Sequence, residues 1–102
     1  MKVIGTLKIQ DFQQKHPQSR KALDTWLNVA QQAEWKNLND VHDVFPRASQ
    51  IQKSDFIIFD IKGNDFRLAV RAKFQRGLLV IDGAYTHAEY DKQSFKGKSN
   101  GN

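Results

Sequence analysis

The sequence predicts an α+β fold in which two N-terminal helices pack on one face of a small, mainly antiparallel twisted sheet. Two observations lead to this fold class. An apolar stripe at helical spacing lies in the N-terminal third of the chain, and three apolar runs joined by two tight turns lie between residues 56 and 85. Helices followed by consecutive strands are typical of α+β proteins, whereas α/β proteins alternate the two elements.

The N-terminal third is expected to contain a short strand and two helices. Residues 2–5 include adjacent β-branched side chains, which favours a first strand. A helix over residues 7–15 ends at His16, because the residue before Pro17 avoids the α region. A second helix opens at Pro17 or Ser19. Its apolar stripe comprises Ala22, Leu23, Trp26, Leu27, Ala30 and Ala33.

A short helical turn and a loop are expected between the second helix and the sheet. Asn37 or Asn39 can cap a helical turn that runs to Phe45. The polar residues 49–55 predict a loop that leads into the sheet. Trp35, like the tryptophan of the helical stripe, is interpreted as a core anchor rather than a platform for stacking bases.

The first long strand is predicted to be covered on both faces. Residues 56–61 form a β-branched and aromatic run, which suits a strand with no solvent-facing side. Residues 62–65 then reverse the chain. Because Gly63 and Asn64 both tolerate positive φ, a two-residue hairpin loop is predicted here.

The second long strand is predicted to have two different faces. Apolar residues alternate with other residues along positions 66–74, so one face belongs to the core. A turn at residues 75–77 leads to a third strand over residues 78–85, and that strand carries His87 to its far end. The face of the second strand that points away from the core is cationic and consists of Arg67, Ala69, Arg71 and Lys73.

Length and composition predict one domain in a reducing compartment. A chain of 102 residues with 39% hydrophobic content has material for one core, assigned here to residues 1–94, with a flexible tail at 95–102. Cysteine is absent, which excludes disulfides and thiolate metal sites and is at home in the cytoplasm. Neither an export signal nor a membrane-spanning run is visible, so no membrane contact is expected.

The charge balance indicates an acidic partner. Lys and Arg number 16 against 11 Asp and Glu, which gives a net charge of +5. This magnitude is also ordinary for a soluble domain, so it is the placement of the cations that favours nucleic acid. Three of them project from one strand face and two lie in the flanking turns, so five could converge on one surface. They are Lys62, Arg67, Arg71, Lys73 and Arg76.

His87 is the candidate catalytic residue, because histidine can both take and give a proton near neutral pH. A lone histidine is more often structural, but Glu89, Tyr90 and Asp91 lie within one helical turn or irregular segment of it. This set suits RNA cleavage by attack of a 2′-hydroxyl, which requires no metal or other cofactor. A metal site at residues 87, 89 and 91 fails on geometry in a strand or a helix. His16 and His42 are expected at the surface.

Two sequence runs carry a resemblance to a known family. The run IKGNDFRL at residues 61–68, followed by THAEYDK at 86–92, resembles the HigB family of bacterial toxins, which are RelE-like mRNA interferases. The resemblance extends upstream through WK at 35–36, DVH at 40–42 and FPRA at 45–48. Family members usually have tyrosine where this chain has Phe66, a change that leaves the chemistry intact if that side faces the core.

The resemblance implies a RelE-like fold and a toxin that cleaves mRNA, usually in the ribosomal A site. It also implies neutralisation by a HigA-type antitoxin whose helix-turn-helix domain contacts operator DNA, so that the toxin meets DNA only indirectly. The expected catalytic residues are His87, Tyr90, Arg67, Glu89 and Asp91, with Glu89 or Asp91 orienting the imidazole. The expected RNA-binding residues are Lys62, Asn64, Arg71, Lys73, Arg76 and Lys92.

Two further functions fit the same residues. The chain can be a non-catalytic binding module, in which the cations hold phosphates while His87 and Tyr90 stack on bases. It can also be an inactive toxin relative that acts only as an antitoxin partner. Loss of His87 separates these alternatives, because a binding module would lose modest affinity whereas a nuclease would still bind RNA and stop cutting.

Overall fold

The computed structural model describes residues 1–93, which form a five-stranded mixed sheet with helices packed against it. The strand order is β1-β5-β4-β3-β2, in which β1 runs parallel to β5 and the other pairs are antiparallel. The α+β class is thereby confirmed, while the tail expected at 95–102 lies outside the described residues. The elements are β1 (Lys2–Ile4), α1 (Thr6–Lys15), α2 (Arg20–Gln32), α3 (Leu38–Val44), β2 (Ser49–Gln50), β3 (Phe56–Ile61), β4 (Phe66–Lys73), β5 (Leu78–Thr86) and α4 (His87–Asp91).

Helices α1, α2 and α3 form where the sequence predicts them. His16 leaves the helical region at φ −131° and ψ 77°, and a 3₁₀ turn over Pro17–Ser19 leads into α2. Of the two possible caps for α3, Asn37 is the one used, since its Oδ1 accepts the N–H of Asp40 at 3.0 Å. Among residues 1–93, none of these helices has the length and apolar character needed to cross a bilayer.

The main core lies between the helices and one face of the sheet. Trp26 on α2 is 1% exposed, and its ring meets Phe59 on β3 edge to face with centroids 5.2 Å apart. Trp35 is also buried and lies 6.4 Å from the same phenylalanine ring. The interpretation of both tryptophans as core anchors is therefore confirmed. Leu68 and Val70 from β4 complete the centre of this core.

Strand β3 is covered on both faces, as its composition predicts. The face opposite the helices carries a second, smaller apolar cluster built on Phe56, Ile58 and Ala69. Ile51, Tyr85 and Tyr90 pack against this cluster from its edges. The outer face of the sheet is therefore partly apolar at its centre. The charged residues Asp60, Arg67 and Arg71 occupy neighbouring positions on the same face.

Two local expectations are wrong. Ser49–Gln50, expected in a loop, forms β2 and pairs with β3, because an unpaired strand edge offers backbone groups that even a polar segment can bond. The hairpin between β3 and β4 has a four-residue connection rather than a two-residue one. Its positive φ angles fall at Lys62 (54°) and Gly63 (66°), so Lys62 leaves the strand one residue earlier than expected.

The two histidines expected at the surface are half-buried instead. His16 packs its ring 4.5 Å from that of Phe12 and 5.8 Å from that of Phe66. His42 places Nε2 at 2.7 Å from the carbonyl oxygen of Ala48. Phe12 is one helical turn before His16, but Phe66 and Ala48 lie in other parts of the fold, so sequence patterns did not predict these contacts.

A β-bulge in β5 reverses which face of the sheet the side chains beyond it point to. Ala69 pairs with Gly83, but the next residue of β4, Val70, pairs with Ile81, so Asp82 is an extra residue. Without the bulge, strict alternation from Ile81 would turn Tyr85 into the core. With it, Tyr85 joins the outer cluster and lies across from Arg67.

Candidate active site

The candidate site lies where β5 passes into α4, on the sheet face away from α1 and α2. Three adjacent strands contribute Asp60, Arg67 and Tyr85, which are paired in register across β3, β4 and β5. The short helix α4 closes this end of the sheet and packs Tyr90 against the same face. The site therefore combines residues from four elements, and the expected catalytic residues among them lie in β4 and α4.

A capping box fixes the start of α4. The hydroxyl of Thr86 accepts the N–H of Glu89 at 3.1 Å, and the Glu89 carboxylate accepts the N–H of Thr86 at 2.9 Å. His87 is the first helical residue, and its N–H donates to the carbonyl of Asp65 at 3.2 Å. The histidine backbone is thereby attached both to the cap and to the turn between β3 and β4.

The two carboxylates near His87 have different positions. Asp91 lies one helical turn on, with Oδ2 3.5 Å from Nδ1 of His87, and the two side chains are 62% and 54% exposed. Glu89 instead serves the cap and lines a cleft of about 380 Å³ beside Lys15 and His16. The hydrogen bond from the Thr86 backbone holds the pKa of Glu89 below its usual range.

We expect Thr86→Ala to destabilise α4 locally by about 0.5–2 kcal/mol, because it removes the acceptor for an orphan N–H. Glu89→Gln should retain the cap, since an amide oxygen can also accept from Thr86. Because the pKa of Glu89 is lower in the folded state than in the unfolded state, its ionised carboxylate stabilises α4 fully at pH values above the unfolded-state pKa. This stabilisation is lost as the pH falls through the folded-state pKa. Only Glu89→Gln should abolish that acid sensitivity.

Amide hydrogen exchange across residues 87–91, followed as a function of pH, measures this effect. Equal exchange in Thr86→Ala and the wild type would show that the capping box does not hold α4.

Tyr90 and Arg67 form the inner wall of the site. The guanidinium carbon of Arg67 lies 5.8 Å from the centroid of the Tyr90 ring. Burial raises the pKa of the Tyr90 phenol, although the charge of Arg67 opposes that shift. The phenol is therefore protonated at neutral pH and can donate a hydrogen bond to a substrate oxygen.

Arg67 is held by several protein groups. Its Nε lies 3.2 Å from Oδ1 of Asp60, and its Nη1 donates to the carbonyl of Asn64 at 2.7 Å. The side chain is 15% exposed, so it is fixed in position rather than extended into solvent. Arg47 approaches the same carboxylate from the loop after α3, with Nη2 3.1 Å from Oδ2.

Tyr85 is a further residue of the site that the sequence patterns did not predict. Its hydroxyl donates to the carboxylate of Asp82 at 3.3 Å. Burial, followed by the nearby charge of Asp82, raises the pKa of Tyr85 to about 12. The phenol is consequently neutral at any physiological pH. No sequence signal could have found it, because its facing depends on the bulge.

The five cations expected to converge do not gather at one point. Lys62 and Arg76 lie in turns at opposite ends of β4. Lys73 forms an ion pair with Asp55, which neutralises it, and Arg71 lies over the Phe56 ring at 4.6 Å. Among these cations, Arg67 and Lys62 lie at the end of β4 near His87. Of the other expected RNA-binding residues, Asn64 lies in the same turn as Lys62, and Lys92 follows α4.

Asp60 and Arg47 were also missed from the sequence. Asp60 had a readable signal, because it is the only charged residue in an otherwise apolar strand. Arg47 stands in the FPRA run at 45–48, but that run gave no sign of its contact with Asp60, which depends on how the loop after α3 folds back. In the part of the chain that the structure describes, no group of three or more His, Asp or Glu residues is close enough to hold a metal ion.

Two comparisons with known proteins bear on this site. Residues 19–93 match the HigB toxin family, described as the RelE-like toxic component of a toxin-antitoxin system. The chain is also 22% identical over 93 residues to the mRNA interferase HigB of Escherichia coli O6:H1 (strain CFT073), an alignment that covers 90% of each protein. The match to the family includes β3, β4, β5 and α4, which build the candidate site.

Proposed function

The chain belongs to the HigB family of RelE-like toxins of toxin-antitoxin systems, and on that premise we propose that it is an endoribonuclease that cleaves mRNA. The observation that carries the proposal is the His87–Asp91 pair, which spans α4 beside Tyr90 and Arg67. A base or acid near neutral pH, a neutral phenol and a fixed cation are the groups that phosphodiester cleavage requires. The similarity to an mRNA interferase supports the choice of substrate.

The proposed reaction is an internal transfer within the RNA. The 2′-hydroxyl loses its proton as its oxygen bonds to phosphorus, the bond from phosphorus to the 5′-oxygen breaks, and that oxygen takes up a proton. The products are a 2′,3′-cyclic phosphate and a 5′-hydroxyl. His87 carries one of these two protons in the proposal: its Nδ1 lies 3.5 Å from Asp91 Oδ2, which leaves Nε2 for the substrate.

The other residues have supporting roles in this proposal. Asp91 orients the imidazole, which assigns to Asp91 the role that the sequence left open between two carboxylates. Tyr90 orients the substrate by stacking or by a hydrogen bond, and Arg67 stabilises charge on the phosphoryl oxygens. Glu89 contributes by holding α4. RNA contacts near His87 are proposed for Lys62, Asn64 and Lys92, and contacts to a more distant part of the RNA for Arg71, Lys73 and Arg76.

We propose further that cleavage occurs on translating ribosomes in the cytoplasm and that a HigA-type antitoxin inhibits it. The exposure of His87 supports this view. Its side chain is 54% exposed, so it can reach an mRNA that is held by the ribosome. The reaction uses the side chains of the toxin, and no cofactor is assigned to it.

Arg67→Ala and Arg71→Ala are expected to weaken association with ribosomes or RNA and to reduce the salt slope of binding by about one unit each. Arg67→Ala should have the larger effect, because Arg67 lies beside Tyr90 whereas Arg71 lies farther along β4. Lys21→Ala on the exposed side of α2 is the matched control. An unchanged slope in both arginine variants would move the RNA surface elsewhere.

Induced expression in bacteria, with mapping of mRNA 5′ ends, tests the proposed function. Growth arrest with new 5′ ends inside translated frames is the expected result. Growth arrest without new ends would favour a non-catalytic binding module. Normal growth together with intact antitoxin binding would favour an inactive relative.

A further inference from the structure

We infer that Asp60 holds Arg47 and Arg67 as a pair of guanidinium groups that grip one RNA phosphate. Arg47 is then a substrate-binding residue and Asp60 a positioning residue. This inference rests on the proposed function, and it adds two residues that neither the sequence patterns nor the comparisons assign.

The geometry joins both arginines to a single carboxylate. Arg67 reaches Oδ1 of Asp60 through Nε, and Arg47 reaches Oδ2 through Nη2, at 3.2 and 3.1 Å. Each carboxylate oxygen therefore has its own guanidinium partner. The two cations come from separate parts of the chain, β4 and the loop after α3, and Asp60 brings them together.

The charges of this trio favour an anion. Two guanidinium groups against one carboxylate leave a net charge of +1, while the charges of Lys62 and Asp65 in the adjoining turn cancel. The Asp60 side chain is 19% exposed and both its oxygens face arginines. An approaching phosphate therefore meets mainly donor groups rather than the carboxylate.

The exposures of the two arginines indicate different roles. Arg67, at 15% exposed, is fixed beside Tyr90 and can stabilise charge at the reacting phosphate. Arg47 is 67% exposed and has one recorded ion pair in the described part of the chain, so most of its donors face solvent. An exposed ion pair contributes little to folding, so stability does not account for Arg47. A planar guanidinium fork matches the oxygens of a phosphate.

The test compares steady-state cleavage of a translated mRNA by purified variants. Arg47→Ala should raise KM about tenfold and change kcat by less than about twofold, because Arg67 stays in place to stabilise charge in the transition state while the Arg47 contact contributes mainly to substrate binding. Arg47→Lys should lie between Arg47→Ala and the wild type, since it keeps the charge and loses the fork. Arg20→Ala, an exposed arginine on α2, is the matched control and should change neither constant.

Asp60→Asn should lower kcat about tenfold and also raise KM. One amide oxygen can accept from a guanidinium group, but the amide nitrogen cannot, so one arginine is released. Thermal melting identifies variants that are merely unstable. A structural role alone would change the melting temperature and leave the KM-to-kcat pattern of folded protein unchanged.

Binding to mRNA-programmed ribosomes separates failure of this inference from failure of the proposed function. If the wild type cleaves mRNA and Arg47→Ala has the KM of Arg20→Ala, the paired-arginine site is wrong and the nuclease assignment stands. If the wild type binds without cleaving, the nuclease assignment is wrong. In that case, a tenfold weaker affinity of Arg47→Ala with a flatter salt slope would still support the pair, and an unchanged affinity would overturn it.

Discussion

His87→Gln should lower the rate of mRNA cleavage by about 10²–10⁴-fold and leave folding, antitoxin binding and ribosome binding nearly intact. The side chain is more than half exposed and has one ion-pair partner, Asp91, within the described residues. Its removal therefore takes away little packing. The backbone contact from His87 to Asp65 does not depend on the side chain and should persist.

Two further variants of α4 serve as controls for this result. Each changes one of the two acids near His87 to its amide. Asp91→Asn removes the charged partner of the imidazole and should reduce cleavage, though by less than His87→Gln. Glu89→Gln keeps the capping box and should cleave nearly as well as the wild type. Wild-type cleavage by folded His87→Gln would shift the catalytic role to Tyr90 or the carboxylates. A larger defect in Glu89→Gln than in Asp91→Asn would reverse the assignment of the two acids.

Trp26→Ala should reduce the free energy of unfolding by about 3–5 kcal/mol. The side chain is 1% exposed and fills the space between α2 and β3, where its ring meets Phe59. Truncation leaves a cavity under the centre of the sheet. The indole Nε1 is buried without a hydrogen-bond partner among the described residues, so Trp26→Phe removes an unsatisfied donor and should cost much less.

Chemical denaturation of the purified variants measures both changes. Thr25→Ala, the exposed neighbour on the same helix, is the control and should stay within about 0.5 kcal/mol of the wild type. A loss below about 1 kcal/mol in Trp26→Ala would contradict the burial of this residue. A loss in Trp26→Phe equal to that in Trp26→Ala would show that the indole nitrogen has a partner in solution.

The helices and long strands follow from local sequence, because periodicity and caps determine them. The stripe of α2 and the residue before Pro17 set the first two helices, and the apolar run of β3 predicts a strand buried on both faces. Strand β2 and the four-residue turn at Lys62 could not be foreseen. Both depend on which backbone groups a neighbouring strand leaves unpaired.

Only the part of the site that is built from residues close in sequence was predictable. His87, Tyr90 and Asp91 lie within five residues, so a single helical turn brings them together. Arg67 lies on the predicted cationic face, but the ion pair that neutralises Lys73 and the contact of Arg47 with Asp60 involve residues far apart in sequence. Alternation also mispredicts residues beyond a bulge, which is why Tyr85 was missed.

Cleavage of an mRNA that carries a single 2′-deoxynucleotide at its mapped cleavage position tests the central claim most directly. In the proposed mechanism, side chains of α4 and β4 help the 2′-hydroxyl attack its own phosphate. In a purified translation system the wild-type protein should cut the all-ribose mRNA to a 2′,3′-cyclic phosphate and a 5′-hydroxyl, and should leave the deoxy-substituted message intact at that position. Cleavage of both messages at equal rates would contradict the account, because the nucleophile would then not be the 2′-hydroxyl.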